Sequence, residues 1–305
     1  MNIKTVSCVL ILGLVTFSCQ PGKTQNHNTQ TNGQPEAAEN SPVEQSPSQP
    51  IENKAKASES AKKEKSETET KVITPPDEYQ VHYTLLNSVL RSVVSNSERQ
   101  GIRTALVNYT AVSNNADFLK VFNWYQNAPI PETYAAKYAF WLNAYNVYTM
   151  KLMSEKSNGQ SIMKIDNGTA FDKQYYSIAG KPISLNQIEK GIVKSMGRVD
   201  YHFALVCAAL SCPDLARSAY TEKNVFWLMK EQARKFFLNE TKGVRIDDAS
   251  STVYVSTLGQ WYGEEFTKKG SFLEYAAQFF DESKAQKILT YKVEYIPYNW
   301  SPNGL

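Results

Sequence analysis

The folded part of this sequence predicts an α+β domain, with a helical first half packed on a mainly antiparallel sheet. Two observations predict this class. Helix-start residues and long amphipathic segments dominate up to about residue 156, whereas apolar and polar residues alternate with period two in several later segments. Helices followed by hairpins are typical of folds in which the two kinds of element form separate layers.

Four helices are predicted in the first half of the domain. The first should begin near Asp77, and two more should begin after Ser97 and after Asn114. Each of these side chains can accept hydrogen bonds from the free amides of a first helical turn. A longer helix should follow Pro131, whose fixed φ suits the first helical position, and should run to about Lys156.

Hairpins are predicted in the second half. The segment "YYSIAGKPISL" should turn at residues 179–181, and "GVRIDDASSTVYVS" should turn at residues 247–251. A helix should begin at Thr221 and run through "EKNVFWLMKEQARKFF", and "KVEYIPY" should form the last strand.

Composition divides the chain into three parts. An almost unbroken apolar run at residues 6–17 is too short to span a bilayer, which requires ~20 apolar residues, and it is followed by Ser18 and Cys19. This pattern is typical of a bacterial lipoprotein signal peptide at residues 1–18, with acylation of Cys19. Residues 19–75 are polar and predict a disordered tether, and residues 76–305 predict a single globular domain.

The anchor and the charge of the chain limit its partners. Acylation of Cys19 would hold the protein in a membrane, and we expect the outer membrane, with the domain facing the periplasm or the cell surface. The alternative is a plain signal peptide or an uncleaved anchor. The formal net charge of +3 on 305 residues indicates no nucleic-acid partner.

Glu189 is a carboxylate that should face protein. A capping-box pattern, S-x-x-Q, predicts a helix over residues 184–196, and Glu189 falls inside the apolar arc of that helix. A carboxylate there must find a cation or donors, or its pKa is raised by desolvation. Two roles for Glu189 are therefore open. It forms a structural salt bridge, with Arg198 or Arg103, or it has a functional role in which it orients a histidine or acts as an acid or base.

Asn143 and Asn146 should also face protein, because the charged residues of their helix lie on the opposite side. Buried amides usually brace neighbouring backbone, since each must use most of its hydrogen-bonding capacity. The alternative is that these two asparagines help to line a pocket.

The stretch "HFALVCAALSCPDL" contains the residues best suited to chemistry. Its first six residues have the composition of a buried strand, in which His202 and Cys207 would face opposite sides. Pro213 would make Cys212 the N-cap of a short helix, "PDLAR", where free amides and the helix dipole lower a thiol pKa. A cysteine at a helix start and a histidine on a strand are the parts of a papain-like or transglutaminase-like site.

Other interpretations of the same stretch stay open. An oxidising envelope compartment favours a disulfide between Cys207 and Cys212. Both could instead be buried free thiols. A zinc site made of His202 and the two thiols would lack a fourth ligand, and the spacing of these three residues is not that of a familiar zinc motif. We therefore expect no metal and no cofactor.

Five ordered segments resemble the successive blocks of the family known as domain of unknown function 547. They are "AFWLNAYNVY" at 139–148, "SLNQIEKGI" at 184–192, "HFALVCAALSCP" at 202–213, "WYGEEF" at 261–266 and "YNWSPNG" at 298–304. The resemblance extends from about residue 120 to the end. It implies an α+β domain, common in bacterial envelope proteins and also found in plants, with these signature positions: Asn143, Asn146, Glu189, His202, Cys207, Cys212 and Trp261.

The sequence departs from that family's usual pattern at four positions. Val206 stands where the family tends to have asparagine, Ala208 in place of glycine, Asn299 in place of aspartate and Pro302 in place of leucine. The first and third changes remove polar or charged groups. Asn299 could still accept a hydrogen bond from an imidazole.

Two functional hypotheses follow. In the first, the domain is a cysteine-dependent amide hydrolase or transamidase with a peptide or amide substrate. Cys212 would attack, His202 would take and return the proton, and Glu189 or Asn299 would orient the ring, with Trp261 in the pocket lining. In the second, the domain is a non-catalytic binding or scaffolding module whose two thiols form a disulfide.

Overall fold

The structure of the protein, a computed structural model, describes residues 75–305. The predicted signal peptide, the acylation site at Cys19 and the predicted tether up to residue 74 lie outside the described residues. Helices and small sheets alternate from helix α1 (Pro75–Val93) to the C-terminus, which confirms the α+β class. Between residues 75 and 305, no helix is both long and apolar enough to cross a membrane.

The long helix α4 (Tyr134–Lys156) forms the centre of the first half. It is buried around most of its circumference, and α2 (Tyr109–Ser113) and α3 (Ala116–Asn127) pack directly against it. The predicted starts are confirmed to within a few residues, because the side chains of Asn115 and Thr133 cap α3 and α4. The predicted end of α4 at residue 156 is also confirmed.

The helix predicted after Ser97 is wrong. Residues there form a hairpin of β1 (Val94–Arg99) and β2 (Ile102–Val107), joined by Gln100 and Gly101. Both turn residues have a positive φ, 54° and 75°, and a turn of this kind matches the twist of paired strands. All of β1 except its first residue is exposed, so no apolar alternation marks the strand in the sequence.

Both later hairpins are confirmed. β3 (Tyr176–Ile178) pairs antiparallel with β4 (Lys181–Ile183), and β5 (Val244–Asp247) pairs antiparallel with β6 (Thr252–Ser256). The predicted last strand, β7 (Lys292–Ile296), pairs parallel with β6. The strand pairing is mainly antiparallel, as predicted, but within residues 75–305 the strands are divided among three small sheets, with helices between the hairpins along the chain.

Helices also occur throughout the second half. α5 (Val225–Phe237) begins four residues after the predicted start at Thr221. The crossover from β6 to β7 contains α6 (Leu258–Tyr262), α7 (Phe272–Ala277) and α8 (Glu282–Thr290). Short 3-10 segments connect these elements at Ile162–Gly168, Lys194–Met196, Asp200–Phe203 and Gly263–Lys269.

The capping box that opens the helix over residues 184–196 is confirmed. The Ser184 amide donates to Oε1 of Gln187 at 2.8 Å, and the Gln187 amide donates to Oγ of Ser184 at 3.1 Å. The middle of this helix, Gln187–Val193, is a π-helix, in which each turn holds an extra residue.

Residues 202–217 form neither the predicted strand nor the predicted helix. A 3-10 turn at Asp200–Phe203 precedes an irregular segment, and no helix follows Pro213. The backbone of this segment instead pairs with the C-terminus: the Leu210 amide donates to the carbonyl of Ser301 at 2.9 Å, and the Asn303 amide donates to the carbonyl of Ala208 at 2.9 Å. These partners lie about ninety residues later in the chain, so no local pattern could reveal them.

Two hydrophobic cores flank the irregular segment. The first surrounds α4 and includes Tyr201 and Leu205, whereas the second contains Phe203 together with α5 and α7. Tyr298 packs against both cores. The segment with the two thiols is therefore held where the cores meet.

Ala208 has a left-handed backbone, with φ of 64°. This conformation costs a residue with a Cβ roughly 1–2 kcal/mol. We expect Ala208→Gly to be about 1–2 kcal/mol more stable than Ala209→Gly, because both changes remove a buried methyl group but only the first relieves strain. Urea unfolding of the two variants measures the difference, and equal stabilities would contradict the strained backbone.

Candidate active site

A cavity of about 290 Å³ opens where the two cores meet. Five residues predicted from the sequence line it together: Glu189, His202, Cys207, Cys212 and Trp261. Aromatic side chains complete much of the wall, among them Tyr145, Tyr262, Tyr298 and Trp300. The structure therefore brings the candidate carboxylate, imidazole and thiols into one site.

Cys207 and Cys212 lie side by side in the cavity wall. Their Sγ atoms are 2.7 Å apart, and both residues are free thiols. The backbone N–H of Cys207 also donates to Sγ of Cys212 at 2.9 Å. Cys212 is only 3% exposed, whereas Cys207 is partly exposed, so Cys207 is the more accessible of the two.

The surroundings of Cys207 favour its thiolate. Hydrogen bonding with the Cys212 thiol, at 2.7 Å, and with the Tyr298 hydroxyl, at 3.1 Å, lowers the pKa of Cys207 despite the desolvation of its sulfur. Burial raises the pKa of Cys212 and of Tyr298, so both groups keep the protons that they donate. The helix predicted after Cys212 does not form, so no helix terminus favours a thiolate at Cys212, and the thiol of the pair whose pKa is lowered is Cys207.

Tyr298→Phe should move the pH profile of Cys207 alkylation to higher pH. The variant removes one of the two donors that stabilise the thiolate, so the pKa of Cys207 rises toward its ordinary value. Iodoacetamide labelling at a series of pH values, read by peptide mass spectrometry, gives the midpoint. Tyr148→Phe is the matched control, since its buried hydroxyl has no hydrogen-bond partner and does not contact the thiols. An unchanged midpoint in Tyr298→Phe would contradict the assigned donor.

Glu189 enters the cavity from the π-helix. The Lys194 amide donates to the Glu189 carbonyl, which is the i to i+5 bond that defines such a turn. The carboxyl group of Glu189 accepts a hydrogen bond from Tyr262 at 3.3 Å, and a weaker one from Tyr145 at 3.5 Å. π-turns are rare and often occur at functional sites, and here the turn directs a carboxyl group into a cavity.

Desolvation raises the pKa of Glu189, although His202 and Lys190 act in the opposite direction. The predicted alternative of a structural salt bridge is wrong. Arg198 pairs with Asp200 instead, at 2.9 Å, and within residues 75–305 neither Arg198 nor Arg103 forms an ion pair with Glu189. This carboxyl group therefore holds its proton to a higher pH than an ordinary glutamate.

His202 is held by Glu265. The Nε2 atom of His202 lies 3.2 Å from Oε2 of Glu265, and the same oxygen accepts a hydrogen bond from the Tyr201 hydroxyl at 3.0 Å. The other carboxylate oxygen of Glu265, Oε1, pairs with Nζ of Lys194 at 3.0 Å. Burial opposes ionisation of Glu265, but these three donors outweigh it and lower its pKa to about 2. The imidazole also packs on the ring of Tyr262, with 4.1 Å between centroids.

The predicted direct pairing of Cys212 with His202 is not formed. Among the described residues, no hydrogen bond joins His202 to either thiol, because its Nε2 is engaged by Glu265. Glu265 is not among the residues predicted from the sequence, although it lies in the segment "WYGEEF". An acidic pair in a polar segment has no pattern of its own that would separate a buried glutamate from an exposed one.

The predicted role of Asn299 is also wrong. Its Nδ2 donates to Oε1 of Gln100 at 2.9 Å, and its Oδ1 accepts from the Ser301 amide at 2.8 Å. Both polar atoms are therefore used away from His202. Its backbone carbonyl accepts from the Ser211 amide at 3.3 Å, so Asn299 contributes to the support of the thiol segment.

Asn143 and Asn146 brace the backbone, as the first of the two alternatives predicts. Asn143 makes paired hydrogen bonds with the amide and carbonyl of Tyr220, at 3.0 and 2.7 Å. Asn146 bonds the carbonyl of Ala204 at 2.8 Å and the amide of Val206 at 3.0 Å, directly before Cys207. Neither lines the thiol cavity; they border a separate void of about 10 Å³.

A buried ion pair anchors the chain after Cys212. The Nζ atom of Lys242 donates to the Cys212 carbonyl at 2.8 Å, to Oγ1 of Thr104 at 2.8 Å and to Oδ1 of Asp214 at 2.6 Å. The same Asp214 oxygen accepts from the amide of Ala105 at 2.8 Å. Lys242 therefore ties the segment with the thiols to strand β2.

The aromatic part of the wall lies beside Cys207. Trp261, Tyr298 and Trp300 contact one another, with ring centroids 4.7 to 5.9 Å apart. Trp261 is 46% exposed, which leaves part of this aromatic surface open to a ligand.

In the described part of the chain, no three His, Cys, Asp or Glu side chains are grouped so that they could hold a metal ion.

Fold and site together define an α+β domain with a dithiol, a carboxyl group and an imidazole in one cavity. Residues 132–237 match the family described as "Protein of unknown function, DUF547". The matched range covers the first three of the five quoted blocks and contains Glu189, His202 and both thiols, whereas the blocks at 261–266 and 298–304 lie outside it. Neither a curated protein nor a solved structure matches this chain.

Proposed function

We propose that this domain is a cysteine-dependent acyl-transfer enzyme, an amide hydrolase or transamidase, with Cys207 as the nucleophile. One observation carries the proposal: a partly exposed thiol with a lowered pKa shares a cavity with a carboxyl group whose pKa is raised, that of Glu189. Groups whose pKa values are driven apart in one cavity are typical of acid and base pairs in active sites.

The chemistry needs no separate base for the first step, because Cys207 is already favoured as a thiolate. Its sulfur attacks the carbonyl carbon of an amide, and a C–S bond forms while the carbonyl electrons move to oxygen. The C–N bond then breaks, and the carboxyl group of Glu189 donates its proton to the departing amine. The resulting thioester passes its acyl group to water or to an acceptor amine, and the proton released returns to Glu189.

The neighbouring groups support these two residues. Hydrogen bonding with Cys212 and Tyr298 favours the ionised form of the attacking sulfur. His202, held by Glu265, favours the negative charge that Glu189 acquires when it gives up its proton. The aromatic wall beside Cys207 suits the side chain of a peptide or another amide with an apolar portion.

Trapping the acyl-enzyme tests the proposal. The full chain is incubated with p-nitrophenyl acetate at neutral pH, stopped with acid and digested, and the acetylated residue is located by mass spectrometry. We expect acetyl on Cys207, none at this site in Cys207→Ser, and continued acetylation of Cys207 in Cys212→Ser. Acetylation of Cys212 in preference to Cys207, or of neither thiol, would overturn the proposal.

Glu189→Gln tests the proton donor separately. Nitrophenolate leaves without a proton, whereas the amine of an anilide requires one. We therefore expect this variant to slow acyl transfer from acetyl p-nitroanilide far more than transfer from the ester. Equal slowing of both reactions would remove Glu189 from the proposed role.

A non-catalytic binding domain is the second candidate. The close approach of the two sulfurs, 2.7 Å, favours it, because a small shift would allow a disulfide. Alkylation of the protein from envelope fractions, with and without reductant, distinguishes the candidates. If Cys207 and Cys212 are always joined by a disulfide in the envelope fractions, the binding function is supported and Cys207 cannot act as a nucleophile.

We also propose that the domain is tethered to the cell envelope through an acylated Cys19. The apolar run at residues 6–17, followed by Ser18 and Cys19, supports this proposal. Cys19→Ala should release the protein from the membrane fraction, and a variant that stays in that fraction would contradict acylation.

A further inference from the structure

We infer that Cys207 and Cys212 form an exchange-active dithiol, for which small disulfide compounds are substrates. This activity goes beyond acyl transfer and does not involve Glu189. It rests on the unequal exposure of the two thiols, their close approach and the fixed backbone around them.

The two thiols have the unequal positions that such exchange requires. Both cysteines line the cavity, but Cys207 is the more exposed residue, so we expect an external disulfide to meet Cys207 first. Cys212 is buried, and its sulfur lies 2.7 Å from that of Cys207. The accessible thiol with the lower pKa is suited to attack, and the buried one is suited to resolve the mixed disulfide.

The backbone around both thiols is anchored on several sides. Ala208 and Leu210 are bonded to the C-terminal segment, and the carbonyl of Cys212 is held by Lys242. These hydrogen bonds fix the backbone on both sides of the pair and so favour the close approach of the two sulfurs. A bond between them requires only that the separation shorten to about 2.05 Å, the usual length of a disulfide.

The reaction consumes one external disulfide for each dithiol. The Cys207 thiolate attacks one sulfur of the external disulfide, which forms a mixed disulfide and releases one thiolate. Cys212 then loses its proton to that thiolate or to water and attacks the Cys207 sulfur, which releases the second thiolate. The two protein thiols are oxidised to a disulfide, and the external disulfide is reduced to two thiols.

Oxidised glutathione is the probe that tests this inference. The reduced full chain is mixed with it at neutral pH, acid-quenched at intervals and analysed by peptide mass spectrometry, which separates the two thiols from Cys8 and Cys19. In the wild type we expect a Cys207–Cys212 disulfide, with no glutathione retained on either of these two residues. In Cys212→Ser we expect glutathione to remain on Cys207.

Cys207→Ser is the matched variant for the buried position. In this variant only Cys212 remains of the pair, and it is less accessible and has a raised pKa. We therefore expect Cys212 to acquire glutathione at least about tenfold more slowly than Cys207 does in the Cys212→Ser variant. Equal or faster modification of Cys212 would overturn the inference. Absence of the internal disulfide in the wild type would overturn it as well.

Glu189→Gln separates this inference from the proposed function. Acyl transfer from the anilide should fall in this variant, whereas exchange with oxidised glutathione should not slow, since no step of the exchange uses Glu189. Thiol–disulfide exchange without any acyl adduct on Cys207 would contradict the acyl-transfer proposal but not the exchange proposal. An acyl adduct on Cys207 without formation of the Cys207–Cys212 disulfide would contradict the exchange proposal but not the acyl-transfer proposal.

Discussion

Replacing Lys242 with methionine is expected to lower the free energy of unfolding by about 3–5 kcal/mol. The ammonium group of Lys242 is fully buried, and all three of its hydrogen-bond partners are protein oxygens. Methionine keeps the approximate length and packing of the side chain but removes all three donors. The carboxylate of Asp214, whose side chain is 29% exposed, then loses its cation, and the carbonyl of Cys212 loses a hydrogen-bond partner in the protein interior.

Urea unfolding of the full chain, followed by tryptophan fluorescence, measures this loss. The transition midpoint should fall while the slope stays the same, because the variant exposes a similar surface on unfolding. Lys235→Met is the matched control: that lysine is 53% exposed, its ion-pair distance to Glu231 is 4.0 Å, and its loss should change stability by less than about 0.5 kcal/mol. Equal effects of the two changes would show that the buried ion pair does not anchor the thiol segment.

Cys207→Ser is expected to slow acylation by p-nitrophenyl acetate at the thiol site by at least about a thousandfold. A serine hydroxyl is far less acidic than a thiol, and within residues 75–305 no histidine forms a hydrogen bond at this position that could remove its proton. The two donors that stabilise a thiolate, Cys212 and Tyr298, do not help a neutral hydroxyl to attack. The rate constant of the p-nitrophenol burst, combined with peptide mass spectrometry, measures the loss.

Cys212→Ser is the informative comparison. Its hydroxyl can still donate toward the Cys207 sulfur, so we expect a loss of about tenfold or less. If both serine variants lost the burst equally, the two thiols would act as a unit and Cys207 could not be named as the nucleophile. If only Cys212→Ser lost it, the roles of the two residues would be reversed.

Much of the fold follows from local patterns in the sequence. The capping box at Ser184 predicts a helix because its two reciprocal hydrogen bonds lie within four residues of each other. The turn at Ala179 and Gly180 is similarly local, and both residues have the positive φ that a two-residue hairpin requires. Such features are visible in the sequence because both partners are neighbours in the chain.

The thiol segment follows from no local pattern. Its apolar composition resembles that of a strand, but its backbone partners are Asn299, Ser301 and Asn303 at the far end of the chain. No helix follows Cys212 directly, so no helix terminus can lower its pKa, and the groups that lower the pKa of Cys207 are Cys212 and Tyr298. The residue types at the site could be predicted, whereas their roles depend on contacts between distant segments.

The buried polar residues were predicted in part. The inward direction of Glu189 follows from its place among apolar neighbours, and the structure confirms that it faces a cavity. Its partners could not be predicted, because Tyr145 and Tyr262 come from other helices. Glu265 was missed for the same reason, since only the fold brings it to His202.

Competitive alkylation of the two thiols in the native full chain tests the central claim most directly. The reduced protein is exposed to a limiting amount of iodoacetamide between pH 6 and 9, and each cysteine is quantified by peptide mass spectrometry. The structure predicts that Cys207 reacts first, with a midpoint below the ordinary thiol pKa, while Cys212 stays protected until the domain unfolds. Faster labelling of Cys212, or a Cys207 midpoint at or above the ordinary value, would contradict this account.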